Sequence, residues 1–210
     1  RNRSVKREFI IDFKEWIALE EQIRSVQDEE RFHHTIGVMD TAAALAMKYG
    51  EDVFRARLAG LLHDCAKSIV PNKKKAALCD KYGVKYTEFE KQNPHLLHGK
   101  LGAYLAKVQY GVDDDELCSA ISFHTTGKPD MTLLEKIIFV ADYIEPDRDY
   151  EPIPGIKEIR RTAFEDIDLC TEMIMANTLR YLEAAGRPVD TATRLAYDYY
   201  HELIKNRRDK

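Results

Sequence analysis

The spacing of apolar residues limits this chain more than any other feature. They recur every three or four positions between capping and stop signals. Nowhere do they alternate with polar residues over a strand's length or flank a hairpin turn. The expectation is an all-α chain, one helical bundle of roughly nine or ten helices. Residues 5 to 27 place Val5, Phe9, Phe13, Trp16, Ile17 and Ile23 on one amphipathic face. Residues 31 to 49 form the next helix, closed by Gly50, and Asp52 caps a third. Pro71 opens a short helix whose run Lys73 to Lys75 reads as a solvated face. Asn93 and Pro94 open a helix through Tyr110, and Asp113 or Asp114 caps one ending at His124. Thr132 and Glu135 have capping-box spacing, and Pro146 stops their helix after Ile144. Residues 156 to 185 are helical with a break near Asp168, and Asp190 or Thr191 caps the last helix. The 210 residues are expected to form one domain, with the N-terminal helix and the helices of 156–208 packed on a core of 31–149.

Composition narrows the classes of function. Charged residues make up 32% of the chain and no apolar run approaches a bilayer span, so the cytoplasm is the expected compartment and no membrane partner is expected. A net charge of -4 speaks against binding a nucleic acid polymer. Cys65, Cys79, Cys118 and Cys170 are widely spaced without a CxxC pair, which points to reduced core thiols rather than disulfides or a thiolate metal site.

Chemistry concentrates around Leu61-Leu62-His63-Asp64-Cys65-Ala66-Lys67, where an imidazole and a carboxylate stand side by side at the end of an apolar helix. Ala56, Ala59 and Gly60 share the face of His63 and let a neighbouring helix approach closely. Four more polar groups lie on apolar faces. His34 shares its stripe with Val38, Ala42 and Leu45, whereas His33 lines up with Asp40 and Lys48; His98 leads into Leu101 and Leu105; His124 follows Leu117 and Ile121; Asp142 follows Leu134 and Ile138. His95 shares the face of His98 and stays an alternative to it. A lone inward histidine is usually a hydrogen-bonded core residue. Six such groups together favour a metal, because an ionised carboxylate buried without a partner costs several kcal/mol. An all nitrogen and oxygen donor set suits Fe, Mn, Zn or Co.

The strings Arg31-Phe32-His33-His34-Thr35, His63-Asp64-Cys65-Ala66-Lys67, Leu96-Leu97-His98-Gly99-Lys100, His124-Thr125-Thr126-Gly127 and Ala141-Asp142-Tyr143-Ile144-Glu145-Pro146 resemble the HD-domain metal-dependent phosphohydrolases. More narrowly, they resemble the YqeK branch, the symmetrical diadenosine tetraphosphatases of bacteria. The resemblance runs from about Arg31 to Asp149. It implies a helical HD domain with an iron cofactor, in which His34, His63, Asp64 and Asp142 hold one metal and His98 and His124 hold a second bridged by Asp64. It also implies hydrolysis of diadenosine tetraphosphate to two ADP by a metal-activated hydroxide. Around that site Lys67, Lys100, Lys128 and Arg148 are candidate phosphate cations, and Thr125, Thr126 and Gly127 candidate hydroxyl and backbone donors. Asp64, Lys67 and Arg148 are the candidates for direct catalytic roles. Competing expectations are an HD hydrolase of mononucleotides and a non-catalytic metal- and nucleotide-binding module. The apolar N-terminal stripe leaves a homodimer open.

Overall fold

The computed structural model describes residues 12–147 and 154–209. All its regular elements are helical: α1 Phe13–Ser25, α2 Glu29–Tyr49, α3 Val53–Leu62, α4 Asn72–Tyr82, α5 Glu88–Gln92, a 3-10 turn Pro94–Leu96, α6 Leu97–Val108, α7 Asp115–Phe123, α8 Leu133–Ile144, α9 Ile156–Ala163, α10 Ile167–Ala184 and α11 Thr191–Arg208. Val5, Phe9 and Arg148 lie outside the described residues.

Helix starts follow the capping residues. Asp52, Asp114 and Asp190 accept a backbone N–H of the first turn, and Thr132 with Glu135 closes a capping box. Gly50 ends α2 at φ 77, a left-handed conformation that glycine adopts without a side-chain clash.

Two details depart from the expectations. Asn93 does not cap the turn that follows it; its side chain donates back to the Phe89 carbonyl at 3.0 Å, closing α5. That five-residue helix, with its own Thr87 and Glu90 capping box, is too short to show a period. The break expected near Asp168 is present a few residues earlier, between α9 and α10, with Asp166 capping the second.

α8 is buried nearly all round, through Leu134, Ile137, Ile138, Val140 and Ala141, and so forms the centre of the bundle. α2, α7 and α10 pack against it, α3 packs on α2, and α6 on α7. The α2–α3 approach is as close as the small residues of α3 permit: a Cβ on Gly60 would lie 2.8 Å from the Met39 Cα. α1 adds Trp16, edge-on to Phe54 at 5.6 Å, with Arg57 over its other side. Among the described residues no helix is long and apolar enough to cross a membrane. All four cysteines are free and buried, and burial pushes the Cys79 and Cys118 thiols up to about 11 and that of Cys170 to about 12. They are inert core groups.

Candidate metal centre

Helix ends build the site. His63 and His124 occupy the C-caps of α3 and α7, where the last carbonyls lack helical partners. Each ring uses one: His63 Nδ1 donates to the Gly60 oxygen at 2.7 Å and His124 Nδ1 to the Ile121 oxygen at 2.7 Å. At the start of α6, His98 Nδ1 donates to the His95 carbonyl at 2.5 Å. A carbonyl oxygen only accepts, so Nδ1 carries the proton in all three rings and Nε2 presents a lone pair. His34, mid-helix in α2, takes its partner from elsewhere: its Nδ1 donates to Glu145 Oε1 at 2.9 Å.

These lone pairs meet carboxylate oxygens and one another. His34 Nε2 is 3.0 Å from Asp142 Oδ1, and His63 Nε2 is 3.7 Å from the same atom. Asp64 faces both ways, with Oδ2 3.5 Å from His63 Nε2 and Oδ1 3.2 Å from His98 Nε2 and 3.5 Å from His124 Nε2. His98 Nε2 and His124 Nε2 are 3.0 Å apart. Among the described residues neither His63 Nε2 nor Asp64 Oδ1 has a hydrogen-bond partner, although both are buried.

Protons do not resolve the contacts of His63 and His98. Burial pushes His63 below the ordinary imidazole range and His98 down to about 4, so both rings are neutral at pH 7. Asp64 stays a carboxylate, its carboxyl held well below the usual range although burial alone would raise it, and the Arg31 guanidinium donates to it at 3.0 Å. The result is a buried set of acceptors with too few donors.

A cation fits such a set. Donor atoms about 2.1 Å from one ion lie about 3.0–3.4 Å apart at octahedral or tetrahedral angles, close to the separations found here. Two groups have ligand atoms within 4.8 Å of one another: His34, His63 and Asp142, and His63, Asp64 and His124. His98 adjoins the second. The structure therefore brings all six candidate ligands together, while His33 points outward with its side chain 68% exposed.

The candidate phosphate residues divide. Lys67 Nζ reaches 3.5 Å from Asp64 Oδ1 and 3.3 Å from His98 Nε2, and Thr125 Oγ1 lies 3.3 Å from the same nitrogen. Lys100 and Lys128 are instead neutralised by Glu90 and Glu135, each at 2.7 Å. Thr126 turns its hydroxyl onto the Gly127 carbonyl. The expectation of an accessible N–H at Gly127 is corrected: that N–H donates to Phe123 at 2.9 Å, and the buried residue, at φ 64, lies so tightly packed that a Cβ would meet the Met175 methyl at 2.5 Å.

Two residues of the site were given no role by the sequence. Arg31 Nη1 donates to Asp64 Oδ2 at 3.0 Å. Glu145, fully buried, orients His34 and occupies the space that a side chain on Gly37 would take: a Cβ there would lie 2.5 Å from Glu145 Oε2. A glycine one turn beyond a candidate ligand was the available signal.

Comparison with known proteins places this geometry. The HD domain model matches residues 31–147. The symmetrical bis(5'-nucleosyl)-tetraphosphatase of Halalkalibacterium halodurans is 39% identical over 170 residues, covering 81% of this chain and 88% of that protein. The protein of the same name from Bacillus subtilis is 39% identical over 172 residues, covering 81% and 89%. The crystal structure of a predicted HD superfamily hydrolase involved in NAD metabolism from Clostridium acetobutylicum superposes with a TM-score of 0.84 at 40% identity, covering 90% of this chain and 97% of that one.

Proposed function

We propose that this chain, which belongs to the HD-domain family and within it to the symmetrical bis(5'-nucleosyl)-tetraphosphatases, hydrolyses diadenosine tetraphosphate at its central phosphoanhydride to give two ADP. The observation that carries the reading is the buried convergence of four imidazole Nε2 atoms on Asp64 and Asp142.

His34, His63 and Asp142, with one oxygen of Asp64, would hold one cation, and His98 and His124, with the other oxygen, a second. Iron is favoured by the family resemblance, and the donor set equally accepts Mn, Co or Zn. Such cations supply Lewis acidity toward phosphate oxygens and make a water nucleophilic near neutral pH.

The chain supplies the rest. Lys67, partly exposed and beside both Asp64 and His98, places an ammonium where phosphate charge develops as the bridging P–O bond breaks. Arg31 engages Asp64 through one nitrogen and keeps further N–H groups of its fork for a phosphate oxygen. The Thr125 hydroxyl offers a hydrogen bond beside them. Each turnover consumes one water: its oxygen joins one central phosphorus, and the bridging oxygen leaves on the other ADP.

Incubation with diadenosine tetraphosphate, followed by anion-exchange resolution of the products, tests this. ADP as the sole nucleotide product is expected. ATP with AMP, or no turnover beside rapid hydrolysis of mononucleotides, overturns it.

A further inference from the structure

One lysine of the run Lys73 to Lys75 does not belong to a solvated face. Lys75 is only 1% exposed, and its ammonium donates to the Lys67 carbonyl at 2.8 Å and to Asn72 Oδ1 at 2.9 Å. Most of its other surroundings disfavour a cation. Burial, and then the charge of Lys67, lower its pKa to about 8 against the smaller opposing effect of Asp64. It also lies in the opening turns of α4, whose N-terminus has no side-chain cap and whose aligned N–H groups repel positive charge. A methionine would fill this space without those penalties. What the ammonium gains is its hold on the Lys67 backbone.

That backbone belongs to the irregular segment between α3 and α4. Turn bonds from the Cys65 N–H to Leu62 and from the Lys67 N–H to Asp64 hold its first half. Beyond them the Lys67 carbonyl must find a donor from outside the turn, and its side chain doubles back to Asp64 and His98. We propose that Lys75 is a positioning residue: by pinning the Lys67 carbonyl it fixes the point from which the Lys67 ammonium reaches the phosphate site. Among the described residues the Lys75 ammonium bonds only the Lys67 carbonyl and Asn72, not a candidate metal ligand. The proposal rests on the hydrolytic reading of the site given above.

The test is a double-mutant cycle on the metal-loaded full chain, measuring kcat and KM for diadenosine tetraphosphate in the wild type, Lys75→Met, Lys67→Met and the double variant. Lys75→Met is expected to lower kcat/KM about tenfold in the wild-type background, as a displaced catalytic group does, and by less than about twofold once Lys67 is gone. Lys75→Gln, which keeps a donor, recovers most of the loss. Equal losses in both backgrounds, or no loss in the first, overturn the proposal while leaving the hydrolase reading intact. A wild type that hydrolyses no phosphoanhydride removes that reading and the proposal together. Should Lys75→Met not fold, Asn72→Ala removes only the second acceptor from an exposed position; a smaller loss confined to the background that retains Lys67 is then expected, and a loss in both overturns the proposal.

Discussion

The two ends of α3 carry polar centres built in opposite ways. Near its start, Arg55 meets Glu51 at 3.2 Å, Asp114 at 2.8 Å and Glu116 at 2.7 Å, so three acceptors surround a fork of donors. At its C-cap, His63 and Asp64 join three more imidazoles and Asp142 in a cluster where the Nε2 acceptors of His98 and His124 face each other at 3.0 Å. The first centre is completed by the chain itself and its side chains are 14% to 36% exposed. The second is buried, and completing it takes a cation the chain cannot make. Satisfied networks hold helices together, whereas a preorganised but unsatisfied one stores its cost until a ligand repays it.

The largest effect that can break this comparison is the loss of Asp64, whose two oxygens face the two halves of the cluster. Asp64→Ala is expected to lower hydrolysis by more than about 100-fold, above the range for a residue acting only through a ligand, and to reduce bound metal in elemental analysis. Because the substitution removes a buried charge, the metal-free variant should melt no lower than the metal-free wild type. An Asp64→Ala variant that binds as much metal as the wild type but melts well below it would make the cluster structural, like the Arg55 network. Chelation is the matching experiment without mutation. At a metal concentration near 100 times its dissociation constant, binding adds about 2.7 kcal/mol, so stripping the wild type should lower Tm by roughly 5–11 °C and leave Asp64→Ala unmoved.

Next in size is Glu145→Gln, which leaves the six candidate ligands in place and alters the acceptor of His34 Nδ1–H together with the group that accepts the Asp147 N–H at 2.8 Å. A loss of about 10- to 100-fold in metal affinity or activity is expected, read by metal titration. An unchanged affinity would mean that His34 is oriented by packing alone. Glu145 also marks how far the sequence could be read. Helical phase was enough to single out His34, His63, His124 and Asp142, because each shares a face with core residues, but it left His98 and His95 as alternatives; capping chemistry placed most helix starts. Phase says nothing about which group holds the second nitrogen of a ring, since those partners are backbone carbonyls or, for His34, a glutamate 111 positions away. The same blindness to distant partners made Lys100 and Lys128 look like phosphate ligands when Glu90 and Glu135 already neutralise them. It also hid Lys75 in a run of lysines whose other two members are exposed.

The smallest effect sharpens the comparison from the other end. Arg55→Met should leave hydrolysis within about twofold of the wild type, since Arg55 contacts no candidate ligand, and should lower stability by about 1 kcal/mol, the scale of partly exposed ion pairs. The pH dependence separates this loss from general damage to α3. Burial pushes Asp114 and Glu116 upward, but hydrogen bonds and charge from Arg55 outweigh it, and both carboxyls titrate below their ordinary values. A carboxylate whose pKa is depressed by folding adds stability above its unfolded value, near 4, and that stability is lost as pH falls through the folded value. The Tm gap between the wild type and Arg55→Met should therefore be constant from pH 7 to about 5 and close as pH falls below about 4. A gap that persists undiminished at the acid end would show that Arg55 contributes through the packing of its stem rather than through its carboxylates, and the contrast between the two ends of α3 would then rest on the metal cluster alone.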